Sequence, residues 1–583
     1  MIDPQRGRVN RRTAWLVLFF GLWTGVLVFR LVQIQILRHG QYKAEVDEQS
    51  RNIWPIRPRR GNIVDRGGAI LARSLPAQSV FLTHAANESA AEQFRKVETL
   101  RDILDLSSAE IKKIRDRISQ NGHFTYIKRQ VSAEDADRVR ALGLPGIALH
   151  PETKRFYPCG RLASHVLGGV NIDEKGQAGV EFSYNDVLQG RAGEALVMRD
   201  AKRRKFRLET LKDSHPGEDI VLTLDAAIQY IVERELKKAV AASQAAWGSI
   251  IVSRPATGEI LALANVPDYD PNHWPPSVPG AASNRAVQHN FEPGSTFKIV
   301  TAAAALETES VGPAEIFNCR ADAVDVPGKA IRDHKPFDAL NFHEIFIHSS
   351  NIGTIQVGLR TGETELRRMI WALGFGRKTG LDLPGEESGI YRPEASWTPR
   401  TLPAVAIGYE ISVTAIQVLQ AMNVIANRGL SVPPRIVKSV LDPAAAPPPD
   451  GPTGLRVLSR ATAERLAAIL VQSVEEGTGF EAKPDGYPTA GKTGTAQKYD
   501  PARGAYVQDK HLASFAGFVP ADNPALSIIV VLDEPRGSYY GGQIAAPVFR
   551  SVAEQILRYL RISPRHPAPR GLIAAHLPPG GRE

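Results

Sequence analysis

Three short segments carry residue types that can do chemistry. Ser295-Thr-Phe-Lys298 lies in "FEPGSTFKIVTAAAAL", Ser349-Ser-Asn351 in "IHSSNIG", and Lys492-Thr493-Gly494-Thr495 in "GYPTAGKTGTA". A serine hydroxyl is inert at neutral pH without a base, and a lysine desolvated near a second cation can supply one. The Pro293-Gly294 turn opens an alanine-rich helix, so a serine in its first turn and a lysine three residues on share one face. The new helix also offers backbone N–H groups and the positive end of its dipole near the serine oxygen. Ser349-Ser350-Asn351 read alone is a helix N-cap. Lys492 and Thr493 can bind a carboxylate, and Gly494 lets a substrate backbone come close to a strand. Each segment alone is a weak signal. In the order S-x-x-K, S-x-N, K-T-G within one domain, they form a serine acyl-transfer constellation.

Two other patterns compete and fail. Gly486 to Thr493 matches G-x-x-x-x-G-K-T, the phosphate-cradling P-loop, but that motif needs an apolar strand before it and a helix after it. "FEAKPDG" precedes it and "GTAQKYDPARG" follows, so no nucleotide is expected. "HEIFIH" (343–348) has one residue too many for the zinc pattern H-E-x-x-H. At i, i+5 its histidines point about 140° apart on a helix and cannot share a metal. No metal and no organic cofactor is implied.

The elements that must position the constellation read as α+β. "DIVLTLD" (219–225) is a strand ending in Asp225, a helix N-cap. Ile228, Val232, Leu236 and Val240 then give an amphipathic stripe. "GSIIVSRPATGEILALANV" reads as two strands around a turn. Near the other chain end "SFAGFV" and "ALSIIVVL" are strands, and Val548, Val552, Ile556 and Leu560 form a second stripe after Pro547, placed at a helix N1 position. This predicts an antiparallel sheet built from both ends of the domain, faced by both terminal helices, with a helical middle.

At 583 residues the chain is too long for one core. Its boundaries read as 1–12, a short N-terminus; 13–37, a membrane span; 38–215, an irregular, elongated module; 216–562, the catalytic domain; and 563–583, a disordered tail. Within the module, 87–145 is helix-like, and the Gly-rich 155–193 suits loops and short strands better than a packed core. "PAAAPPPDGPTG" (443–454) reads as a surface loop. "TAWLVLFFGLWTGVLVF" (13–29) carries no charge, apolar character resumes after Arg30, and no A-x-A-like cleavage site follows. Arg6, Arg8, Arg11 and Arg12 precede the span, which keeps the N-terminus cytoplasmic and everything after about residue 38 outside, where ATP is not available. The formal charge of +9 suits an anionic partner such as a membrane surface or cell-wall polymer. Without a zinc spacing or RNA-binding signature, nucleic acid is not expected. Cys159 and Cys319 are too few and too far apart for a disulfide framework or a C-x-x-C pair.

The three motifs, the N-terminal anchor, and "RGNIVDRGGAILA", "RFYPCGRLASHVLG", "GQAGVEFSYNDVLQG", "VEEGTG", "GYEISVTAIQ" and "YYGGQIAAPVF" together resemble the class B penicillin-binding proteins over nearly the whole chain. Within that family the chain resembles the cell-division (septal) branch, penicillin-binding protein 3. Gly67 stands where that family commonly has asparagine, and Ala415 where proline is usual.

The resemblance implies a pedestal (dimerisation-type) module before a transpeptidase domain that cross-links peptidoglycan stem peptides and is inhibited by β-lactams. It implies that Ser295 is the nucleophile, Lys298 its base, Ser349 a proton relay and Asn351 a ligand of the substrate amide and of Lys298. Lys492 adds positive potential, Thr493 and Thr495 contact the substrate carboxylate, and Gly494 lies beside it. Backbone N–H groups of Ser295 and Thr495 form the oxyanion hole. Tyr539 and Tyr540 are candidate substrate-wall aromatics, with packing the equal alternative. Implied partners are a SEDS-family glycosyltransferase and other division proteins. The competing readings are an elongation-specific transpeptidase, a carboxypeptidase or β-lactamase, and a non-catalytic β-lactam sensor or scaffold.

Overall fold

A computed structural model describes residues 4–40, 51–83, 88–120, 124–199, 205–312, 314–320, 324–326, 329–441, 454–500 and 502–565. The expected surface loop, apart from Gly454, and the tail beyond 565 lie outside the described residues. The chain divides into two compact units, one of 1–59 with 190–217, the other of 60–189 with 218–583.

The first unit holds an α-helix, Pro4–Val32, continued by the π-turn Gln33–Leu37. Its Thr13–Leu37 stretch has a mean hydropathy of 2.0 and is the one described helix long and apolar enough to cross a membrane. Trp15, Phe19, Leu22 and Phe29 stand exposed along it, as side chains facing lipid would. The same unit contains a three-stranded antiparallel sheet of Arg51–Ile56, Gly193–Arg199 and Lys205–Lys212.

The second unit is built on a five-stranded antiparallel sheet. Its strands are β1 (Trp247–Ser253), β2 (Ile260–Val266), β3 (Ala490–Asp500), β4 (Ala505–Val519) and β5 (Leu526–Asp533), in the order β2-β1-β5-β4-β3. The helices that matter are α1 (Ala226–Ser243), α2 (Lys298–Glu307), α3 (Asn351–Thr361), α4 (Ala415–Ala426), α5 (Arg460–Glu475) and α6 (Ala546–Tyr559). All eight residues of β5 are buried because both faces of the sheet are covered, which is why it reads as a continuous apolar run. Ile528, Val530 and Leu532 meet Ile228, Val232 and Leu236 of α1 and Phe549, Val552 and Ile556 of α6. Ile529 and Val531 face the opposite core, shared by α2, α4 and α5. The sheet from both chain ends, faced by α1 and α6, is therefore observed. Asp225 caps α1 by accepting from the Ala227 and Ile228 N–H groups at 3.0 and 3.2 Å. Pro547 sits one place later than expected, since α6 begins at Ala546.

Helix α2 is buried from Lys298 to Leu306. A helix apolar all round must be packed all round, and its run of four alanines permits that. Thr301 anchors it by donating to the Ala406 carbonyl at 2.7 Å.

Residues 60–189 are more ordered than their composition suggests. Ile70–Thr83 is a 14-residue strand pairing with Phe124–Val131 and Ile147–Phe156. Helices Ala90–Thr99 and Ser108–Ser119 both start with capping boxes, Ser89 with Glu92 and Ser107 with Glu110. They bury Val97, Ile111, Ile114 and Ile118 in a core of their own. The Gly-rich 155–193 does form short pieces, yet Tyr157, Val166, Leu167, Val180 and Leu188 are buried in the main core. The glycines serve close packing: a Cβ on Gly168 would lie 1.7 Å from the Ala178 carbonyl oxygen.

Glu181, fully buried, sits at the centre of this region. It accepts from Arg60 Nε at 2.7 Å, Arg155 Nε at 2.6 Å and the Tyr157 hydroxyl at 3.3 Å. Burial, and next the Glu181 charge, push the Tyr157 phenol well above its ordinary pKa. Glu181→Gln keeps the volume but leaves two buried guanidinium groups without the carboxylate they bind directly, with Glu174 the nearby charge that remains. It is expected to cost about 3–5 kcal/mol, read as a drop in the thermal unfolding temperature; a loss below about 1 kcal/mol would refute the triad's structural role.

Candidate active site

The turn before α2 is held from three sides. Gly294 has φ +53 and donates its N–H to the Gly408 carbonyl at 3.1 Å. Thr296 donates to the Pro293 carbonyl at 2.9 Å, and the Lys298 N–H closes the turn onto the Ser295 carbonyl. Ser295 is left half-buried in this 3₁₀ turn, one turn ahead of Lys298.

Lys298 is fully buried, and its Nζ donates to the Ser349 carbonyl at 2.7 Å, Asn351 Oδ1 at 2.7 Å and Ser349 Oγ at 3.3 Å. Ser349 reaches it from a left-handed backbone conformation, φ +58. That is strained for a non-glycine residue and aims both its carbonyl and its hydroxyl at the lysine. Ser350 is the N-cap of α3, its Oγ accepting from the Gly353 N–H at 2.9 Å. Burial, and after it the Lys492 charge, hold the Lys298 ammonium well below the usual lysine pKa, with Asp333 opposing.

Lys492 lies in β3 with 1% exposure, and its Nζ has no hydrogen-bond partner among the described residues. Burial pushes its pKa down to about 7. Lys492 and Thr493 sit inside an 11-residue strand rather than at a helix N-terminus, unlike a P-loop. Thr493 and Thr478 hydroxyls lie 2.8 Å apart, and Thr495 Oγ1 accepts from the Gly541 N–H at 3.0 Å. Gly494 is needed for packing inside the protein: an added Cβ would lie 2.3 Å from Ser514 Oγ and 2.8 Å from Thr296 Cγ2. The glycine thus seats β3 against the Ser295 turn.

Tyr539 stacks on His511 at 4.1 Å and packs 4.6 Å from Tyr540, which is half exposed just before Gly541. Glu344 of "HEIFIH" caps its helix through a capping box with Asn341, and His348 ends it. Both cysteines are free, Cys159 exposed and Cys319 buried.

The structure adds Asp333, which the sequence reading passed over. Its carboxylate accepts from Ser350 Oγ at 2.7 Å, from the Asn351 N–H, and from the Ile352 N–H at 3.2 Å. It tethers the start of α3, and with it Asn351, from a loop that carries no motif. Asn351 Nδ2 donates to the neighbouring Arg332 carbonyl at 2.8 Å.

Residues 248–554 match the penicillin binding protein transpeptidase domain, and 55–222 match the penicillin-binding protein dimerisation domain. The chain belongs to the class B penicillin-binding proteins. It is an enzyme of the D,D-transpeptidase type. It is 33% identical over 569 residues to the probable peptidoglycan D,D-transpeptidase PenA of Neisseria meningitidis, covering 96% of this chain and 94% of the relative. To the peptidoglycan D,D-transpeptidase FtsI of Escherichia coli it is 32% identical over 550 residues, covering 92% and 90%. Penicillin binding protein 3 of Mycobacterium tuberculosis, solved in complex with aztreonam, superposes with a TM-score of 0.67 at 29% identity, covering 88% and 99%. Within its transpeptidase domain, Lys298 joins the S-x-x-K turn to Ser349 and Asn351, and Gly494 packs the K-T-G strand against that turn.

Proposed function

We propose that this protein cross-links peptidoglycan stem peptides during septal wall synthesis through a Ser295 acyl-enzyme. The carrying observation is Lys298 Nζ, buried, bound by Ser349 and Asn351 and lowered in pKa with Lys492 nearby. A lysine whose ammonium form is disfavoured by burial gives up its proton more readily than a free amine and can serve as a base. Ser295 Oγ attacks the penultimate D-alanine carbonyl and its proton passes to Lys298. The tetrahedral intermediate collapses, the C–N bond breaks, and the departing D-alanine amine takes a proton relayed by Ser349. Asn351 binds the donor peptide amide, Lys492 supplies positive potential, and Thr493 and Thr495 receive the terminal carboxylate beside Gly494. A neighbouring stem-peptide amine then attacks the ester, forming the cross-link and returning the Ser295 hydroxyl. Tyr539 and Tyr540 wall the substrate. A β-lactam enters the same path and stays as an ester that water removes slowly; a relative solved in complex with aztreonam supports the β-lactam binding this requires.

The septal assignment rests on the family motifs and the likeness to FtsI. It brings a SEDS-family glycosyltransferase and other division proteins as partners of the pedestal at 38–215, beside a transpeptidase domain at 216–562. Depleting the protein is expected to produce filamentous cells; rounded cells would instead establish the elongation reading. Supplied with nascent lipid-linked peptidoglycan, the solubilised protein should release free D-alanine as cross-links form, and cross-linking without that release would sink the mechanism.

The Thr13–Leu37 helix, preceded by four arginines, is a single span with a cytoplasmic N-terminus and an extracytoplasmic catalytic domain. A reporter enzyme active only in the periplasm, fused after Glu583, is expected to be active. Activity from a cytoplasm-specific reporter instead would reverse the topology.

A further inference from the structure

The Gly477–Gly479 segment follows α5 and contributes no residue to the three motifs, yet it is wedged between two of them. A Cβ on Gly477 would lie 2.4 Å from the Ile347 carbonyl oxygen, two residues ahead of Ser349, and 2.8 Å from the Ser473 carbonyl oxygen. From the other side, a Cβ on Gly542 would lie 2.5 Å from the Thr478 carbonyl oxygen and 3.5 Å from Thr493 Cγ2. Glycine at both positions is what lets the segment fit. The Gly479 N–H also donates to the Ser473 carbonyl at 3.0 Å. The Thr478 backbone is therefore fixed, and its side chain is delivered to Thr493, hydroxyl to hydroxyl at 2.8 Å.

Two touching hydroxyls share one proton in their contact, and the other proton is left for a third group. If Thr478 donates, the Thr493 oxygen is the acceptor and the Thr493 O–H points elsewhere. Thr495, two residues along β3, is arranged in the same way, because its oxygen accepts from the Gly541 N–H at 3.0 Å. Both threonines then have an acceptor position filled by the protein and a proton free to donate. Thr493 and Thr495 stand two residues apart on one face of β3, and two such donors suit a carboxylate, which only accepts.

We propose that Thr478 is a positioning residue for substrate recognition: its hydroxyl donates to Thr493 and so turns the Thr493 O–H toward the terminal carboxylate of the donor peptide. The inference rests on the proposed function, which places that carboxylate at β3. It goes beyond that reading by assigning part of carboxylate selectivity to a residue outside the motifs.

The test is acylation of the full-length, detergent-solubilised protein by a labelled penicillin, resolved into the half-saturating concentration and the limiting rate. The same penicillin as its methyl ester removes the anionic carboxylate. Thr478→Val keeps the volume and removes the hydroxyl; Thr478→Ser keeps the hydroxyl. Thr478→Val is expected to raise the half-saturating concentration of the acid about tenfold, as for one hydrogen bond to a charged group, with the limiting rate changed by less than about twofold. Thr478→Ser should restore the wild-type value, and the methyl ester should not distinguish valine from threonine. If Thr478→Val does not fold, Thr478→Ala, scored the same way, replaces it. An unchanged half-saturating concentration overturns the proposal. So does a loss shared equally by acid and ester, or one that serine does not rescue, since either marks a packing role. Failure of the underlying reading looks different: the wild-type protein would carry no adduct on Ser295, or would not discriminate acid from ester.

Discussion

Ser295→Ala is expected to abolish covalent labelling by penicillin, with the wild-type adduct located on Ser295 by mass spectrometry of the peptide containing "FEPGSTFK". The effect should be complete, because alanine has no atom that can form the ester. Stability should hardly change. Ser295 is half-buried, and the turn around it is held by Gly294, Thr296 and backbone groups rather than by its hydroxyl. Unfolding of the variant should therefore stay within about 1 kcal/mol of the wild type. That combination separates a lost nucleophile from a lost fold. An adduct that persists at another residue in Ser295→Ala would show that the reaction centre is misassigned.

Removing the base should be nearly as damaging. Lys298→Ala is expected to lower the acylation rate by about 10²- to 10⁴-fold, the range a positioned general base contributes. Lys298→Arg should fare little better, because guanidinium stays protonated at any pH the protein survives. The pH dependence gives a second check. The base must be unprotonated to act, so the wild-type rate should rise with pH and level off above the folded pKa of Lys298. Burial, with Lys492 next, holds that pKa well below the ordinary lysine value, so the plateau should be reached far earlier than for a free amine. Lys492 contributes a like charge that disfavours protonation of Lys298. Lys492→Met removes it, so the Lys298 pKa should rise and the ascending limb should move to higher pH. Burial holds Lys492 itself at about 7, so its charge acts on Lys298 chiefly below that pH. A limb that moves to lower pH in Lys492→Met, or full-rate acylation with arginine at 298, would exclude Lys298 as the base.

Much of the sheet domain is legible in the chain because its signals are local. The stripe Ile228, Val232, Leu236 behind the Asp225 cap is α1, and the unbroken apolar run 526–532 is β5 at the centre of a doubly covered sheet. The region before it is less legible. Its glycines suggest looseness, yet Gly168 and Gly179 are small so that the Ala178 and Val166 carbonyls can come close. Glu181 in "AGVEFSY" gives no local sign that it will be fully buried. Its partner Arg60 lies 121 residues away, and composition carries no trace of that pairing.

The site divides along the same line. The sequence by itself determined which groups are present: a serine and a lysine one helical turn apart, a capping Ser-Ser-Asn, and a Lys-Thr-Gly, behind an N-terminal helix long and apolar enough to cross a membrane. These depend on side-chain chemistry and short-range periodicity, both of which can be read along the chain. Only the tertiary structure decided that Lys298 is enclosed by residues 51 and 53 positions away, and that Asp333 ties down the start of α3. It likewise decided that Thr478 meets Thr493 and that Gly494 packs on Thr296. The lysine pKa shifts belong to this second class: desolvation depends on everything that surrounds a group, and what surrounds Lys298 and Lys492 is assembled only when distant segments fold against one another.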